Sequence, residues 1–151
     1  MQQKNTVVSE IEISYIPKQL TFNRPIITTS NDVYEIFKEL FDIKLLSVKE
    51  ECIVLFLNRC NRITGWYKVS SGGITGTVVD IRLILSIALK SLSCGLVLAH
   101  NHPSGNLKPS IIDMELTARL KEAAKLMDIK LLDHLIITSE GYYSFADRSE
   151  M

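Results

Sequence analysis

Two short segments made almost entirely of apolar residues constrain the fold of this chain most strongly. Residues 52–57 and 95–99 are each long enough for one buried strand and far shorter than a membrane-spanning helix. Between them, residues 80–91 carry apolar side chains at helical spacing. Strands without a polar face are typical of a sheet that is covered on both sides. We therefore predict a mixed α/β domain with a central sheet.

The other segments add helices and strands around this centre. Residues 11–15 alternate apolar and polar side chains, which predicts an edge strand that stops before Pro17. Residues 30–32 offer capping side chains, and an amphipathic helix is predicted after them, to residue 41. We also predict a hairpin strand, a long helix and three short strands, over residues 63–69, 116–127, 129–132, 135–138 and 142–145.

Length, charge and cysteine spacing limit the kinds of protein this chain can be. Its 151 residues suit one domain, and 17 Lys+Arg balance 17 Asp+Glu, so no general attraction to nucleic acid or to an anionic membrane is expected. Cys52, Cys60 and Cys94 never form a Cys-x-x-Cys pair, which argues against a disulfide framework and a cysteine-only zinc site. With no secretory signal and no long apolar run, we expect a cytoplasmic protein that does not contact membranes.

Three possible metal ligands surround the end of the second apolar segment. His100 and His102 come directly after residues 95–99, and alternate residues of an extended chain project to the same side, so both imidazoles can face one point. Asp113 is the nearest carboxylate that could join them, leaving a fourth zinc position open for water. A competing interpretation needs no metal: Ser110 as N-cap and Asp113 three residues later resemble a capping box.

Two adjacent carboxylates are candidates for a general base. Glu50 and Glu51 lie at the start of the first apolar segment, where a carboxylate can reach a metal-bound water. Strand parity separates them, because Glu50 is in phase with Cys52 and Glu51 with Ile53. Both remain candidates, beside the simpler interpretation of a solvated strand end.

His134 is the remaining histidine and precedes a short apolar segment. A hydrogen-bonded structural histidine is the favoured interpretation, and tuning of the metal site from outside its ligand set is the alternative. A site with three histidines is possible by count but is disfavoured against one that uses Asp113.

These residues together resemble a known family. His-Asn-His-Pro-Ser-Gly over residues 100–105, followed by Ser110 and Asp113, matches the signature of the JAB/MPN/JAMM metalloproteases: His-x-His, a gap of seven residues that begins with Pro, and Ser-x-x-Asp. The residues of this segment resemble those of the RadC-like bacterial branch of that family. The similarity runs from about residue 49 to residue 148. It implies a JAB/MPN-like (cytidine-deaminase-like) mixed, curved sheet flanked by helices over residues 46–151, preceded by a strand and a helix in residues 1–45.

The resemblance also implies a site and a function. Zinc would be held by His100, His102 and Asp113, with an upstream glutamate as general base and Ser110 stabilising the oxyanion. Counting back from the end of the first strand places that base at Glu50. The implied function is hydrolysis of a peptide or isopeptide bond in a peptide or protein substrate.

The alternative function is that of a binding module, a DNA-repair or mobile-element accessory protein with the same fold. Longer RadC-like proteins carry a helix-hairpin-helix region, which we do not find before residue 50. Together with the zero net charge, this argues against direct nucleic-acid binding. The oligomeric state stays open.

Overall fold

The computed structural model describes residues 15–18 and 20–151. The predicted edge strand therefore falls mainly outside the described residues. Of that segment Tyr15 is described, and its hydroxyl donates a hydrogen bond to the Thr64 carbonyl at 2.7 Å. The described elements are helices α1 (Ser30–Leu40), α2 (Ile81–Lys90) and α3 (Ile111–Lys125), and strands β1 (Glu51–Leu57), β2 (Ile63–Ser71), β3 (Gly95–Asn101), β4 (Lys130–Thr138) and β5 (Gly141–Ser144).

The five strands form one mixed sheet in the order β2-β1-β3-β4-β5. Strands β3 and β4 are parallel and are connected through α3, whereas the other neighbouring strands are antiparallel. Within the β1–β3 pair, Cys52 lies opposite His100. This register brings the start of β1 beside the end of β3, where the candidate residues lie.

Helices cover both faces of this sheet, as the apolar segments predict. Every residue of β1 and of β3 is buried. One face packs against α1 through an apolar cluster that includes Val33, Phe37, Ile53, Leu55, Val97 and Leu135. The opposite face packs against α2 and α3 through a second cluster that includes Cys52, Val54, Phe56, Ile84, Leu98 and Leu120. Alternate residues of β1 therefore pack on opposite faces of the sheet, as strand parity predicts.

Capping boxes begin two of the helices. In α1 the N-cap is Thr29, one residue before the predicted capping residues, and its hydroxyl accepts from the Asp32 amide at 3.2 Å. Hydrogen bonds from Thr28 lower the pKa of Asp32 to about 2. In α3 the box joins Ser110 and Asp113, as the sequence predicts. Among the described residues, no helix is long and apolar enough to cross a membrane.

The predictions for strands β3 and β4 differ from the structure. Strand β3 continues to Asn101, because its last residues still pair with β4, so His100 lies inside the strand. The two short strands predicted at 129–132 and 135–138 are one strand, β4. The polar residues Asp133 and His134 lie between the two predicted strands, but both side chains are buried and find hydrogen-bond partners within the protein.

Candidate metal centre

His100, His102 and Asp113 meet at the open end of β3. His100 Nε2 lies 2.9 Å from His102 Nε2 and 3.1 Å from Asp113 Oδ1. The distance from His102 Nε2 to Asp113 Oδ2 is 3.5 Å. One ligand atom from each residue lies within 4.8 Å of the others, so the three could hold a metal ion. The predicted convergence is therefore present.

The protonation of this group suits a cation. His102 Nδ1 lies 2.6 Å from the Asn106 carbonyl oxygen, which only accepts hydrogen bonds, so the proton of a neutral His102 sits on Nδ1 and Nε2 presents a lone pair. Burial acts to raise the pKa of Asp113, but the close contacts with the His100 and His102 imidazoles outweigh burial and hold that pKa well below its usual range. An ionised carboxylate and imidazole nitrogens are a donor set that divalent transition metals accept.

Asp113 also completes the cap of α3. Its Oδ2 accepts from the Ser110 amide and from the Ser110 hydroxyl, both at 2.7 Å. The Asp113 amide in turn donates to Ser110 Oγ at 3.1 Å. Capping and metal binding competed as interpretations of the sequence, but in the structure one carboxylate has the geometry for both. The hydrogen bonds of the cap fix its direction toward the two histidines.

Glu50 and Glu51 have different surroundings. Glu50 lines a cavity of about 630 Å³ together with His100, His102 and Asp113, and burial raises its pKa. The buried Glu51 carboxylate is instead paired with lysines, at 3.1 Å from Lys49 Nζ and 3.0 Å from Lys68 Nζ. Of the two carboxylates, Glu50 is therefore the one that borders the candidate metal centre.

Asn101, between the two histidines, holds the backbone around Glu50. Its Nδ2 donates to the carbonyls of Leu46 and Lys49 at 2.7 and 2.8 Å, and its Oδ1 accepts from the Glu51 amide at 2.7 Å. The side chain thus binds the peptide groups on either side of Glu50. Sequence reasoning missed this residue, although strand parity indicates that it must point away from its two histidine neighbours.

His134 lies within hydrogen-bond distance of the His100 ring nitrogen that does not face Asp113. Its Nε2 lies 2.8 Å from His100 Nδ1, and its Nδ1 lies 2.6 Å from Thr117 Oγ1. Its ring stacks on Phe145 with 4.8 Å between centroids, and burial holds its pKa well below the usual value. The prediction of a hydrogen-bonded histidine is confirmed. His134 contacts His100 Nδ1, whereas His102 lies next to His100 Nε2.

Among the described residues, no cysteine belongs to the possible metal-binding group. All three cysteines are free thiols, with Cys52 buried and the other two exposed. The expectation that the chain has no disulfide framework is confirmed for these described residues.

A family model described as the RadC-like JAB domain matches residues 27–150. The chain belongs to this family. The match includes α1 and the whole sheet, and it contains every residue of the candidate centre.

Relatives with the name UPF0758 protein support this membership. The chain is 45% identical over 121 residues to one from Flavobacterium johnsoniae, covering 80% of this chain and 52% of that protein. It is 41% identical over 145 residues to one from Porphyromonas gingivalis, covering 94% of this chain and 62% of that protein. A third, from Streptococcus sanguinis, is 38% identical over 109 residues, covering 72% of this chain and 48% of that protein. This RadC-like chain thus spans less than two thirds of each relative.

Proposed function

We propose that this RadC-like JAB domain is a zinc-dependent hydrolase of the JAMM metalloprotease type, which cleaves a peptide or isopeptide bond. The observation that carries the proposal is the convergence of His100, His102 and Asp113 in a cavity that Glu50 also lines. Two imidazoles and one carboxylate are a ligand set of catalytic zinc sites, which keep one position open.

His100, His102 and Asp113 would hold the zinc ion through Nε2 of each imidazole and a carboxylate oxygen. When bound, zinc supplies a Lewis acid and lowers the pKa of a coordinated water to about 7. Glu50 then acts as general base and acid, taking a proton from the attacking water and returning it to the leaving amine. Burial raises the pKa of Glu50, which favours a carboxyl group that both accepts and returns that proton.

Ser110 is proposed to stabilise the tetrahedral oxyanion. Its hydroxyl now donates to Asp113 Oδ2 and lines the same cavity. During the reaction that proton would turn toward the oxyanion, while the Ser110 amide keeps its hydrogen bond to Asp113.

A peptide or protein substrate fits the walls of the cavity. Residues of the segment 74–79 and of the start of α3 line the cavity, and both contribute apolar side chains, including the exposed Ile74 and Ile112. This mixture of backbone and apolar side chains suits an extended polypeptide. The free cysteines fit a reducing compartment, so we place this activity in the cytoplasm.

Metal analysis combined with variants of the two glutamates tests this proposal. The full chain is purified, loaded with zinc and assayed by mass spectrometry on a library of peptides and lysine-branched isopeptides. Wild type is expected to bind one zinc ion and cleave a member of the library. His102→Ala should lose the metal, because it removes one of three ligands. Glu50→Gln should keep the zinc and lose about 10²- to 10⁴-fold in turnover.

Glu51→Gln is the matched control, because it makes the same chemical change in the adjacent carboxylate, which faces lysines. It should keep both zinc and turnover. A wild-type chain that binds no zinc, or a Glu50→Gln variant as active as wild type, would overturn the proposal. If the chain binds zinc without cleaving any substrate and also shifts the electrophoretic mobility of DNA in a salt-dependent way, the accessory function is favoured instead.

A further inference from the structure

A chain of buried hydrogen bonds runs from helix α3 to His100. Thr117 Oγ1 lies 2.7 Å from the backbone carbonyl oxygen of Asp113 and 2.6 Å from His134 Nδ1. His134 Nε2 lies 2.8 Å from His100 Nδ1. Thr117, His134 and His100 are all buried, so each polar atom depends on the partner the fold supplies.

The first link of the chain sets its direction. A carbonyl oxygen only accepts, so the Thr117 hydroxyl donates its single proton to Asp113. Thr117 Oγ1 can then serve His134 Nδ1 only as an acceptor, which requires a proton on His134 Nδ1. A fully buried imidazole with no anionic hydrogen-bond partner stays neutral, so this is its one proton. His134 Nε2 is therefore an acceptor.

The last link fixes the tautomer of His100. Because His134 Nε2 accepts, His100 Nδ1 must donate, and the Nε2 of a neutral His100 is left with its lone pair. That nitrogen faces Asp113 Oδ1 at 3.1 Å, inside the candidate metal centre. The chain thus starts at the backbone of Asp113 and returns to its carboxylate, and it ties two metal ligands together.

We infer that Thr117 and His134 are positioning residues that hold His100 in the tautomer able to bind a metal ion. The inference deepens the proposed function and rests on it, since the tautomer matters to a metal only if the centre binds one. His102 needs no such relay, because the Asn106 carbonyl fixes its proton directly. The two imidazoles are therefore oriented by different means.

Thr117→Val and Thr117→Ser separate this role from simple packing. Valine keeps the shape of threonine but removes the acceptor of His134 Nδ1, so the proton of His134 can move to Nε2 and that of His100 to its metal-facing nitrogen. Serine keeps the hydroxyl. We expect zinc affinity to fall about 10- to 100-fold in Thr117→Val and to stay at the wild-type value in Thr117→Ser.

Thr138→Val is the matched control. Thr138 is also a buried threonine whose hydroxyl donates to a carbonyl, that of Gly141 at 3.4 Å, but it lies outside the relay. The Thr138→Val variant should bind zinc with the affinity of wild type. Affinities are measured by competition between the full chain and a chromophoric chelator, and nitrogen-15 NMR of the metal-free wild-type imidazoles reads the tautomers directly.

The outcomes distinguish failure of the hydrogen-bond relay from failure of the proposed zinc-dependent function. Wild-type zinc binding with an unchanged Thr117→Val affinity would overturn the relay and leave the metal site standing. A wild type that binds no zinc would overturn the proposed function, while the NMR spectrum still tests the relay. Protons on Nδ1 of both His100 and His134 support the relay. A His100 that carries its proton on Nε2 and none on Nδ1 overturns it, whether or not the variants fold.

Discussion

Replacing Asn101 with alanine should destabilise the protein far more than its small loss of volume suggests. The side chain is 1% exposed and satisfies three backbone groups, the carbonyls of Leu46 and Lys49 and the amide of Glu51. Glu51 is itself buried, so its amide would lose its partner without access to water. The two carbonyls belong to partly exposed residues, which water can reach.

These environments give the size of the effect. A buried backbone group left without a partner costs about 1 to 3 kcal/mol, and a hydrogen bond that water can replace contributes about 1 kcal/mol or less. One group of the first kind and two of the second predict a loss of about 3 kcal/mol. That is a large part of the roughly 5 to 15 kcal/mol by which a domain is usually stable.

Urea unfolding of the metal-free full chain, followed by circular dichroism, measures this loss. Asn58→Ala is the control, because Asn58 Oδ1 accepts from the amides of Cys60 and Arg62 at 2.9 and 3.0 Å in the more exposed turn between β1 and β2. It should cost about 1 kcal/mol. If Asn101→Ala lost no more stability than Asn58→Ala, Asn101 would not be holding the backbone around Glu50 as argued.

Three further predictions concern other parts of the chain. Hydrogen bonds lower the folded-state pKa of Asp32 to about 2, so its contribution to stability is complete above the unfolded value of 3.8. The stability difference between wild type and Asp32→Asn should shrink below pH 3.8 and vanish as the pH falls through 2. Burial raises the pKa of the Cys52 thiol, so iodoacetamide should modify only the other two cysteines in the native protein and all three in urea, as counted by mass spectrometry. Leu98→Ala should cost about 2 to 5 kcal/mol in urea unfolding, whereas Leu126→Ala at an exposed position should cost less than about 0.5 kcal/mol.

Local patterns in the sequence were enough for most elements and for the metal-ligand candidates. The apolar segments, the spacing of the helices and the capping box at Ser110 and Asp113 are short-range features, and each appears as predicted. Strand parity also separated Glu50 from Glu51. It could not tell which face holds the cavity, because that depends on the register that places Cys52 opposite His100.

The interactions that support the site could not be read in this way. Asn101 contacts residues about fifty positions earlier, and His134 meets His100 across the parallel β3–β4 pair. Both depend on pairings between distant segments, for which a single sequence gives no register. The sequence predicts a hydrogen-bonded His134, but it does not identify His100 and Thr117 as the partners.

Because Ser110 caps α3 and is also proposed to act on the oxyanion, a variant at this position changes two properties, and a matched variant is needed to separate them. Thr29 caps α1 with the same type of capping box and does not line the cavity. Thr29→Ala and Ser110→Ala should each cost about 1 kcal/mol in urea unfolding. Both should keep zinc, and Ser110→Ala alone should lose about 10²- to 10³-fold in turnover. Equal turnover in the two variants would show that Ser110 only caps the helix, because the loss of a cap is common to both.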